Sequence, residues 1–384
     1  MLLDMQKHAR MAQRPAIAGD GAVIDVESLR GESGAVRHLG PRSGGLRGGM
    51  IAMPRMRSTM LPALLTMSLL FGGCTTRLAP PGAPVMAPAE TPDAFVMPDG
   101  MRLPYRAWLP EGAPQAVVLA LHGMNDSRDA WEIPGPEFAV AGVAVFSPDQ
   151  RGFGATSTRG YWAGTKGMTD DARTMAGLLR RRYPGTPLYL MGESMGAAVL
   201  MVLATGPSPP DVDGYVLSAP AVWGRAKMNI FLRGLLWTAS RTVPGFVLVN
   251  RGYVKVTASD NREALVRLST DPLTIHGTRV DTVRGLVDLM DAALASAALF
   301  RGRALFLYGG KDELIPKRAT VTTWRALPPG EARRAYYAER YHLAMRDLGR
   351  ATVIADVVAW MKDPGSALVS GADRAAEDWV KTVE

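Results

Sequence analysis

Ser194 is the residue whose surroundings point most directly to chemistry. It is the centre of a GESMG pentapeptide at residues 192–196, which fits the pattern Gly-X-Ser-X-Gly. The apolar run at residues 187–191 predicts a buried strand before it, and the run at residues 196–201 predicts a buried helix after it. A serine in a tight turn between strand and helix is a nucleophile elbow, which exposes its hydroxyl above a sheet. We therefore expect Ser194 to be a catalytic nucleophile.

A serine nucleophile needs a base to take its proton and an acid to orient that base. In enzymes built on a nucleophile elbow, the acid and then the histidine follow the serine along the chain. Of the five histidines, only His276 and His342 lie downstream of Ser194. His342 follows a short predicted strand, and Asp312 ends a Gly-Gly turn after the apolar strand predicted at residues 304–308. We expect Asp312 to orient His342; the alternatives are a carboxylate that caps a turn and a histidine on a surface loop.

The fourth component of such a site is a pair of backbone amides that hold the oxyanion. The apolar run at residues 116–121 predicts a strand that ends in His122 and Gly123, and a glycine there lets the backbone turn its N–H groups toward the site. The amides of Met124 and Met195 are the predicted donors. His122 is predicted to shape this loop through hydrogen bonds, and a second catalytic base is the alternative.

Six ordered motifs give the sequence a family resemblance. They are LHGM at residues 121–124, DQRGFG at 149–154, GESMG at 192–196, DPL at 271–273, GKD at 310–312 and YH at 341–342. Together they resemble the monoacylglycerol lipase/lysophospholipase branch, also called serine aminopeptidase-like, of the α/β-hydrolases. The resemblance spans roughly residues 94–362. The sequence departs from the family pattern at Glu193, where histidine is frequent.

The resemblance implies an α/β-hydrolase fold with a mainly parallel, eight-stranded sheet and helices on both faces. It also implies a helical lid between the sixth strand and the acid-bearing seventh, which we place at about residues 222–298. The DPL motif matches a lid motif of that group. The implied activity is hydrolysis of carboxylic esters with long acyl chains.

The predicted elements agree with such a fold. Residues 95–97 and 103–108 predict an opening hairpin, and residues 143–147 and 216–218 predict buried strands. Apolar strands that alternate with helices are typical of a parallel sheet covered on both faces. The GFG of the DQRGFG motif lacks the spacing of a dinucleotide site, so we interpret it as a structural loop. Apolar residues near 228–237 predict a lid helix that packs on the body and lines an acyl channel, or one that is simply part of the core.

Charge and composition exclude several classes of protein. The formal net charge is +8, and residues 1–73 contribute +4 of it, so the other 311 residues carry only +4. Basic residues are scattered rather than clustered, so a nucleic-acid-binding surface is not expected. Asp281, Asp288 and Asp291 share a predicted helix without metal-ligand spacing, and we expect no metal and no cofactor.

Cys74 is the single cysteine, which rules out a disulfide within the chain. Arg55 and Arg57 precede the apolar residues 60–71, and small residues stand directly before Cys74. This order resembles a bacterial lipoprotein signal at residues 50–73, with Cys74 as the lipidated first residue; an ordinary signal with a free cysteine is the alternative. Because Thr75 rather than aspartate follows, we expect a lipid anchor in the outer membrane that faces the periplasm.

The domain boundaries follow from these motifs. Residues 1–49 lack apolar periodicity, and we expect translation to begin downstream of them, or that stretch to be disordered. We predict a Pro/Ala-rich tether at residues 74–93, the hydrolase domain at 94–362 and a C-terminal tail at 363–384.

The sequence therefore predicts a lipid-anchored serine hydrolase that cleaves a single-chain ester such as a monoacylglycerol or a lysophospholipid. The first alternative is a peptidase or small-ester esterase of the same fold; a peptidase needs an acidic cluster near the lid to hold an ammonium group. The second, from another class, is a lipoprotein that binds a ligand without catalysis. The expected partners are a lipid ester and a membrane, with no nucleic acid.

Overall fold

The structure is a computed structural model that describes residues 76–249, 256–330 and 332–383. Cys74, the predicted signal at 50–73 and the predicted extension at 1–49 lie outside these residues. Among the described helices, none combines the length and the apolar character that a membrane span requires.

The described residues contain eleven strands. They are β1 (Ala89–Glu90), β2 (Ala94–Val96), β3 (Arg102–Trp108), β4 (Ala116–Leu121), β5 (Val143–Pro148), β6 (Leu188–Glu193), β7 (Gly214–Ser218), β8 (Val247–Val249), β9 (Gly277–Arg279), β10 (Ala304–Gly309) and β11 (Ala332–Tyr337). Nine of them form one sheet in the order β1-β2-β3-β5-β4-β6-β7-β10-β11, and β8 pairs with β9 separately.

The large sheet is antiparallel at its first edge and parallel elsewhere. The opening hairpin predicted from the sequence is confirmed, since β2 pairs with β3 antiparallel, and β3 pairs with β5 antiparallel. All pairings from β5 through β4, β6, β7 and β10 to β11 are parallel. The mainly parallel sheet is thus confirmed, with one strand more than predicted because the two-residue β1 adds to the edge.

Nine α-helices accompany these strands in the described ranges. They are α1 (Pro134–Val140), α2 (Thr165–Arg182), α3 (Met195–Thr205), α4 (Ile230–Thr242), α5 (Arg262–Thr270), α6 (Val280–Ser296), α7 (Lys317–Ala326), α8 (Arg350–Lys362) and α9 (Ala372–Thr382). Short 3₁₀ turns lie at Arg128–Trp131, Arg225–Lys227 and Ala297–Leu299.

Successive residues of each central strand belong alternately to two hydrophobic cores, one on each face of the sheet. In β4, Val117 and Leu119 join the core formed with α2, α3, α6, α7 and α9, whereas Val118 and Ala120 join the core formed with α1 and α8. All six residues of β4 are buried. A strand apolar on both faces is what a sheet between two helical layers requires, and the predicted helices on both faces are confirmed.

The segment between β7 and β10 differs from the predicted lid in its extent. The prediction covered about residues 222–298, but α6 packs against α3 and belongs to the helical layer of the body. Leu289 and Ala293 of α6 are completely buried in that core. We call residues 222–279 the lid segment; it starts at Val222, which is still buried in the core of the body, and its residues 250–255 are outside the described ranges.

The apolar residues of α4 point away from the core. Phe231 is 84% exposed, Leu235 is 65% exposed and Trp237 is 60% exposed, and Ser240 is the one buried residue of the helix. The prediction that this helix packs on the body is therefore wrong for most of its length.

The two ends of the described chain are built into the body. In the predicted tether, the N–H of Ala79 donates to the carbonyl of Trp162 and that of Gly82 donates to Asp99. In the predicted tail, α9 packs along the edge strand β11, with Trp379 in the core. The predicted tail at residues 363–384 therefore contains a short helix whose apolar stripe packs against this edge strand.

Candidate active site

Ser194 lies in the turn between β6 and α3, as the elbow motif predicts. Its φ is 54° and its ψ is −112°, a backbone conformation that residues other than glycine rarely adopt. A Cβ at Gly192 would lie 2.5 Å from the backbone nitrogen of Ala197, and one at Gly196 would lie 2.4 Å from the carbonyl oxygen of Leu121. Both glycines are therefore needed because the backbone passes too close for any side chain.

Asp312 and His342 meet although 30 residues separate them. Asp312 Oδ2 lies 2.8 Å from His342 Nδ1, and the two side chains are 0% and 4% exposed. The other carboxylate oxygen, Oδ1, accepts the backbone N–H groups of Leu314 and Ile315 at 2.7 and 2.9 Å. These bonds fix the carboxylate, which in turn fixes the imidazole with Nε2 as the nitrogen left for proton transfer.

The sheet topology explains why these residues share one place. The strands β4, β6, β10 and β11 run parallel, so the loops that follow them emerge at the same edge. Those loops carry Gly123, Ser194, Asp312 and His342. A Cβ built on Gly123 would lie 3.4 Å from Ser194 Cβ, so the first loop touches the elbow. Among the described residues, no hydrogen bond joins Ser194 to His342. In enzymes without bound substrate, the hydrogen bond between nucleophile and base is often long or poorly aligned.

The backbone N–H groups of Met124 and Met195 are free to receive an oxyanion. Within the described ranges neither donates a hydrogen bond. Met195 is the first residue of α3, where the helix dipole favours negative charge. Asn125, with a φ of 65°, turns the chain directly after Met124. The two predicted donors therefore belong to the loop that touches the elbow and to the first residue of α3.

His122 is a structural residue of the oxyanion loop. Its Nε2 accepts the backbone N–H of Gln150 at 3.1 Å, so its Nδ1 carries the proton and donates to the carbonyl of Gly123 at 2.7 Å. Burial lowers its pKa below the ordinary value, so the ring stays neutral. Gln150 Nε2 also donates to the carbonyl of His122, so the DQRGFG loop supports the oxyanion loop.

A buried charge cluster beneath the site was missed at the level of sequence. Arg346 Nη2 donates to Glu193 Oε1 at 2.6 Å and to Asp126 Oδ2 at 2.7 Å, and all three residues are at most 6% exposed. Burial raises the pKa of Glu193, an effect that Arg346 partly offsets. The cluster ties the elbow to the oxyanion loop and the histidine loop. The available signals were the departure at Glu193 and the four-residue spacing from His342 to Arg346.

Part of the lid segment is bonded to two of these loops. The N–H of Ile275 donates to the carbonyl of Asn125 at 2.8 Å, and Asn125 Nδ2 donates to Thr278 Oγ1 at 2.6 Å. At the histidine loop, the N–H of Leu343 donates to the carbonyl of Ala258 at 2.9 Å. The stretch from 256 to 279 is therefore anchored to the oxyanion and histidine loops.

The other candidates do not join the site. His276 is exposed in the lid segment, which leaves His342 as the histidine beside the acid. The predicted lid motif begins at Asp271, which accepts the hydroxyl of Ser127 at 3.2 Å and the N–H of Leu273 at 2.8 Å. In the described part of the chain, no three His, Cys, Asp or Glu residues are placed to hold a metal ion.

Comparisons with known proteins agree with the fold and place the chain in a family. Residues 112–349 match the family model described as serine aminopeptidase, S33. A monoacylglycerol lipase of Mycolicibacterium smegmatis is 26% identical over 265 residues, which are 68% of this chain and 93% of that protein.

Solved structures show the same fold. The crystal structure of a monoacylglycerol lipase from Paleococcus ferrophilus has a TM-score of 0.57 at 21% identity and is matched over 67% of this chain and 98% of that one. A soluble variant of monoglyceride lipase from Saccharomyces cerevisiae, in complex with a substrate analogue, has a TM-score of 0.59 at 18% identity, over 74% and 98% of the two chains.

Proposed function

This chain belongs to the family described as serine aminopeptidase, S33, and on that basis we propose that it hydrolyses the carboxylic ester of single-chain lipids of the monoacylglycerol or lysophospholipid type. The observation that carries the chemistry is the 2.8 Å contact between Asp312 and His342 at the sheet edge that also holds Ser194. The monoacylglycerol lipases among its relatives support the substrate class.

The reaction follows from these positions. Ser194 Oγ attacks the ester carbonyl while His342 Nε2 takes its proton, and Asp312 stabilises the imidazolium that forms. The amides of Met124 and Met195 hold the negative oxygen of the tetrahedral intermediate. His342 then gives this proton to the oxygen of the leaving alcohol as the ester C–O bond breaks. The alcohol departs, and the acyl group stays on Ser194. Water, activated by His342, releases the fatty acid and restores the serine.

An acidic cavity near the lid segment bears on the peptidase alternative. The cavity, of about 310 Å³, is lined by four carboxylates: Asp126, Asp129, Glu132 and Asp271. Each carboxylate already has a partner in the protein. Asp126 is paired with Arg346, Asp129 with Arg106 and Glu132 with Arg267, and Asp271 accepts the hydroxyl of Ser127. Because guanidinium groups and a hydroxyl satisfy these carboxylates, the cavity offers little to a substrate ammonium, which favours an ester over a peptide.

The proposed activity is tested with p-nitrophenyl esters from acetate to palmitate and with a monoacylglycerol, using residues 75–384. We expect the highest kcat/KM with medium or long acyl chains and release of fatty acid from the monoacylglycerol. Activity confined to the shortest esters would leave the serine chemistry intact and overturn the lipid substrate. Failure of Ser194 to react with a fluorophosphonate would overturn catalysis itself and leave a ligand-binding protein.

We further propose that lipid attached to Cys74 anchors the enzyme in the outer membrane, facing the periplasm. The support is the order of basic residues, apolar residues 60–71 and small residues before this cysteine. Growth with a labelled fatty acid should label the wild-type protein but not Cys74→Ser. Equal labelling of the two proteins would contradict the proposal.

A further inference from the structure

A single guanidinium nitrogen joins the two loops that supply the predicted oxyanion donors. Arg346 Nη2 donates to Glu193 Oε1 at 2.6 Å and to Asp126 Oδ2 at 2.7 Å. Glu193 stands two residues before Met195, and Asp126 stands two residues after Met124. Each carboxylate is therefore close along the chain to one of the two backbone amides that receive the oxyanion.

The carboxylate of Asp126 is fixed within the oxyanion loop, which carries Met124. Its Oδ1 accepts the N–H of Ser127 at 2.8 Å, which leaves Oδ2 for the guanidinium. The N–H of Asp126 donates to the carbonyl of Gly123 at 3.3 Å and closes a turn around Met124. Because this turn is closed, a displacement of the Asp126 side chain also displaces the N–H of Met124.

The side chain of Glu193 fills the space between the elbow and the oxyanion loop. Glu193 is the last residue of β6, and its side chain is 2% exposed. A Cβ built on Gly123 would lie 3.8 Å from Glu193 Oε1 and 3.4 Å from Ser194 Cβ. The approach of the oxyanion loop to the elbow is therefore set in part by this carboxylate, at the position where the sequence departs from the family pattern.

The backbone of Arg346 is fixed on the histidine loop. Its N–H donates to the carbonyl of Leu343 at 2.7 Å, directly after His342, and its carbonyl accepts Asn261 Nδ2 at 2.9 Å. Burial lowers the pKa of Arg346, but the two carboxylates more than offset this and hold the pKa above its ordinary value. A charged side chain on the loop of the base thus connects the other two loops of the site.

We propose that Arg346, acting through Asp126 and Glu193, is a positioning residue that sets the distance between the N–H groups of Met124 and Met195. Oxyanion donors must lie about 2.7–3.1 Å from the position of the negative oxygen, so the spacing of the two amides decides how well they act. This inference rests on the proposed ester hydrolysis. It adds that a buried ion cluster of this chain aligns the site for the transition state.

The proposal predicts a particular kinetic signature. The negative oxygen exists in the transition state and not in the bound ester, so misplaced amides lower kcat and leave KM nearly unchanged. A buried ion pair that only holds the fold would instead change the amount of folded enzyme. The two roles are separated when kcat is expressed per active site, counted by the end point of fluorophosphonate labelling.

Asp126→Ala is the main test, made in residues 75–384, because it detaches the oxyanion loop and leaves Arg346 paired with Glu193. We expect kcat per active site on p-nitrophenyl butyrate to fall about 10- to 100-fold, since a misplacement of the order of 1 Å has an effect of this size. An alkylboronic acid bound to Ser194 places a negative oxygen between the same amides. Its Ki should rise by about the same factor as kcat falls.

The matched control is Asp99→Ala, in the turn of the opening hairpin. Asp99 is one of two carboxylates on the buried Arg151, whose other partner is Asp171. The side chains of Asp99 and Asp126 are both 8% exposed. The control therefore removes the same kind of buried ion pair, and it should lower the free energy of unfolding while kcat per active site and Ki stay unchanged.

A second pair of variants acts on the cation itself. Both hydrogen bonds come from one nitrogen of Arg346, and a lysine ammonium has enough donors to make them. Arg346→Lys should therefore keep more of kcat than Arg346→Met, which has an uncharged side chain. The boronic acid should show the same order of affinity. Equal losses in the two variants would contradict a role for the charge.

The outcomes distinguish this inference from the proposed function. A wild-type protein that neither hydrolyses the ester nor reacts with the fluorophosphonate overturns the proposed function and this inference with it. A wild-type protein that does both, with Asp126→Ala unchanged in kcat per active site, overturns the positioning role alone. An equal loss of kcat in Asp99→Ala would also overturn it, because any buried ion pair would then have the same effect.

Discussion

Asp312 Oδ2 accepts a hydrogen bond from His342 Nδ1 at 2.8 Å, and both side chains are almost closed to water. The first prediction concerns this bond. Asp312→Asn places an amide where a carboxylate orients and stabilises the imidazolium, so we expect kcat to fall on the order of 10⁴-fold with KM little changed. Steady-state kinetics on a soluble ester measure it. Asp378→Asn, on an exposed carboxylate of α9, serves as the control and should keep wild-type activity.

The second prediction uses the backbone of Ser194. Ser194→Ala and Ser194→Gly both remove the nucleophile, so each should lower kcat by on the order of 10³-fold or more. The φ of 54° suits glycine better than alanine, so the free energy of unfolding of the glycine variant should exceed that of the alanine variant by about 1 kcal/mol. Urea unfolding compares the two. The opposite order of stability would show that the elbow is not strained.

The proposed catalytic residues could be predicted from sequence because Ser194 and Asp312 each follow a strongly apolar strand and His342 follows the short strand β11. The loops after parallel strands meet at one sheet edge, so order along the chain was enough to group Ser194, Asp312 and His342. The Arg346 cluster could not be found in this way. Its partners lie 153 and 220 residues away, and a charged residue in a sequence indicates a solvated surface until its burial is known.

The third prediction concerns that cluster and pH. Arg346→Met leaves two buried carboxylates without their cation, which should cost on the order of 3–5 kcal/mol of folding free energy. Burial already holds the pKa of Glu193 above its ordinary value of 4.5, and loss of Arg346 raises it further. A carboxyl with a raised folded-state pKa favours folding below its unfolded pKa, and this advantage is lost as pH rises through the folded pKa.

The destabilisation by Arg346→Met should therefore be smallest near about pH 4.5 and larger at about pH 8. Urea unfolding at both values measures it. Adding Glu193→Gln removes one of the two unpaired charges, so the double variant should recover part of the loss at the higher pH. A penalty that is independent of pH would contradict the electrostatic account.

The fourth prediction concerns the C-terminal helix. Trp379 stacks on Tyr336 with ring centroids 4.5 Å apart and on Tyr308 at 5.1 Å. Trp379→Ala should lower the free energy of unfolding by about 3–5 kcal/mol because it opens a cavity in an aromatic cluster. Val369→Ala, at a residue 81% exposed, should change it by less than about 0.5 kcal/mol. Thermal or urea unfolding checks both, and similar values would mean that α9 is not packed.

The sequence analysis predicted a C-terminal tail at residues 363–384 and did not identify α9 within it, for a physical reason. The helix is short and mostly polar, with Ala372, Ala376 and Trp379 as its buried residues. Their spacing of four and three residues marks one helical face, and this was the available signal. Three apolar residues on one face are too few to predict that a helix packs on the body unless the neighbouring sheet edge is known. The same limit applied to α6, whose packing on α3 could not be distinguished from a place in the lid.

The hydrogen bonds of Asn125 and Ala258 divide the lid segment into two parts. One part is bonded to the oxyanion and histidine loops, and the other, which includes α4, is not. Residues that hold the oxyanion and histidine loops are constrained by catalysis, since altering them moves the reacting groups. Helix α4 shares none of these bonds among the described residues. We therefore expect that substitutions in α4 leave the reaction at Ser194 intact, whereas those at Asn125 or Ala258 disturb it.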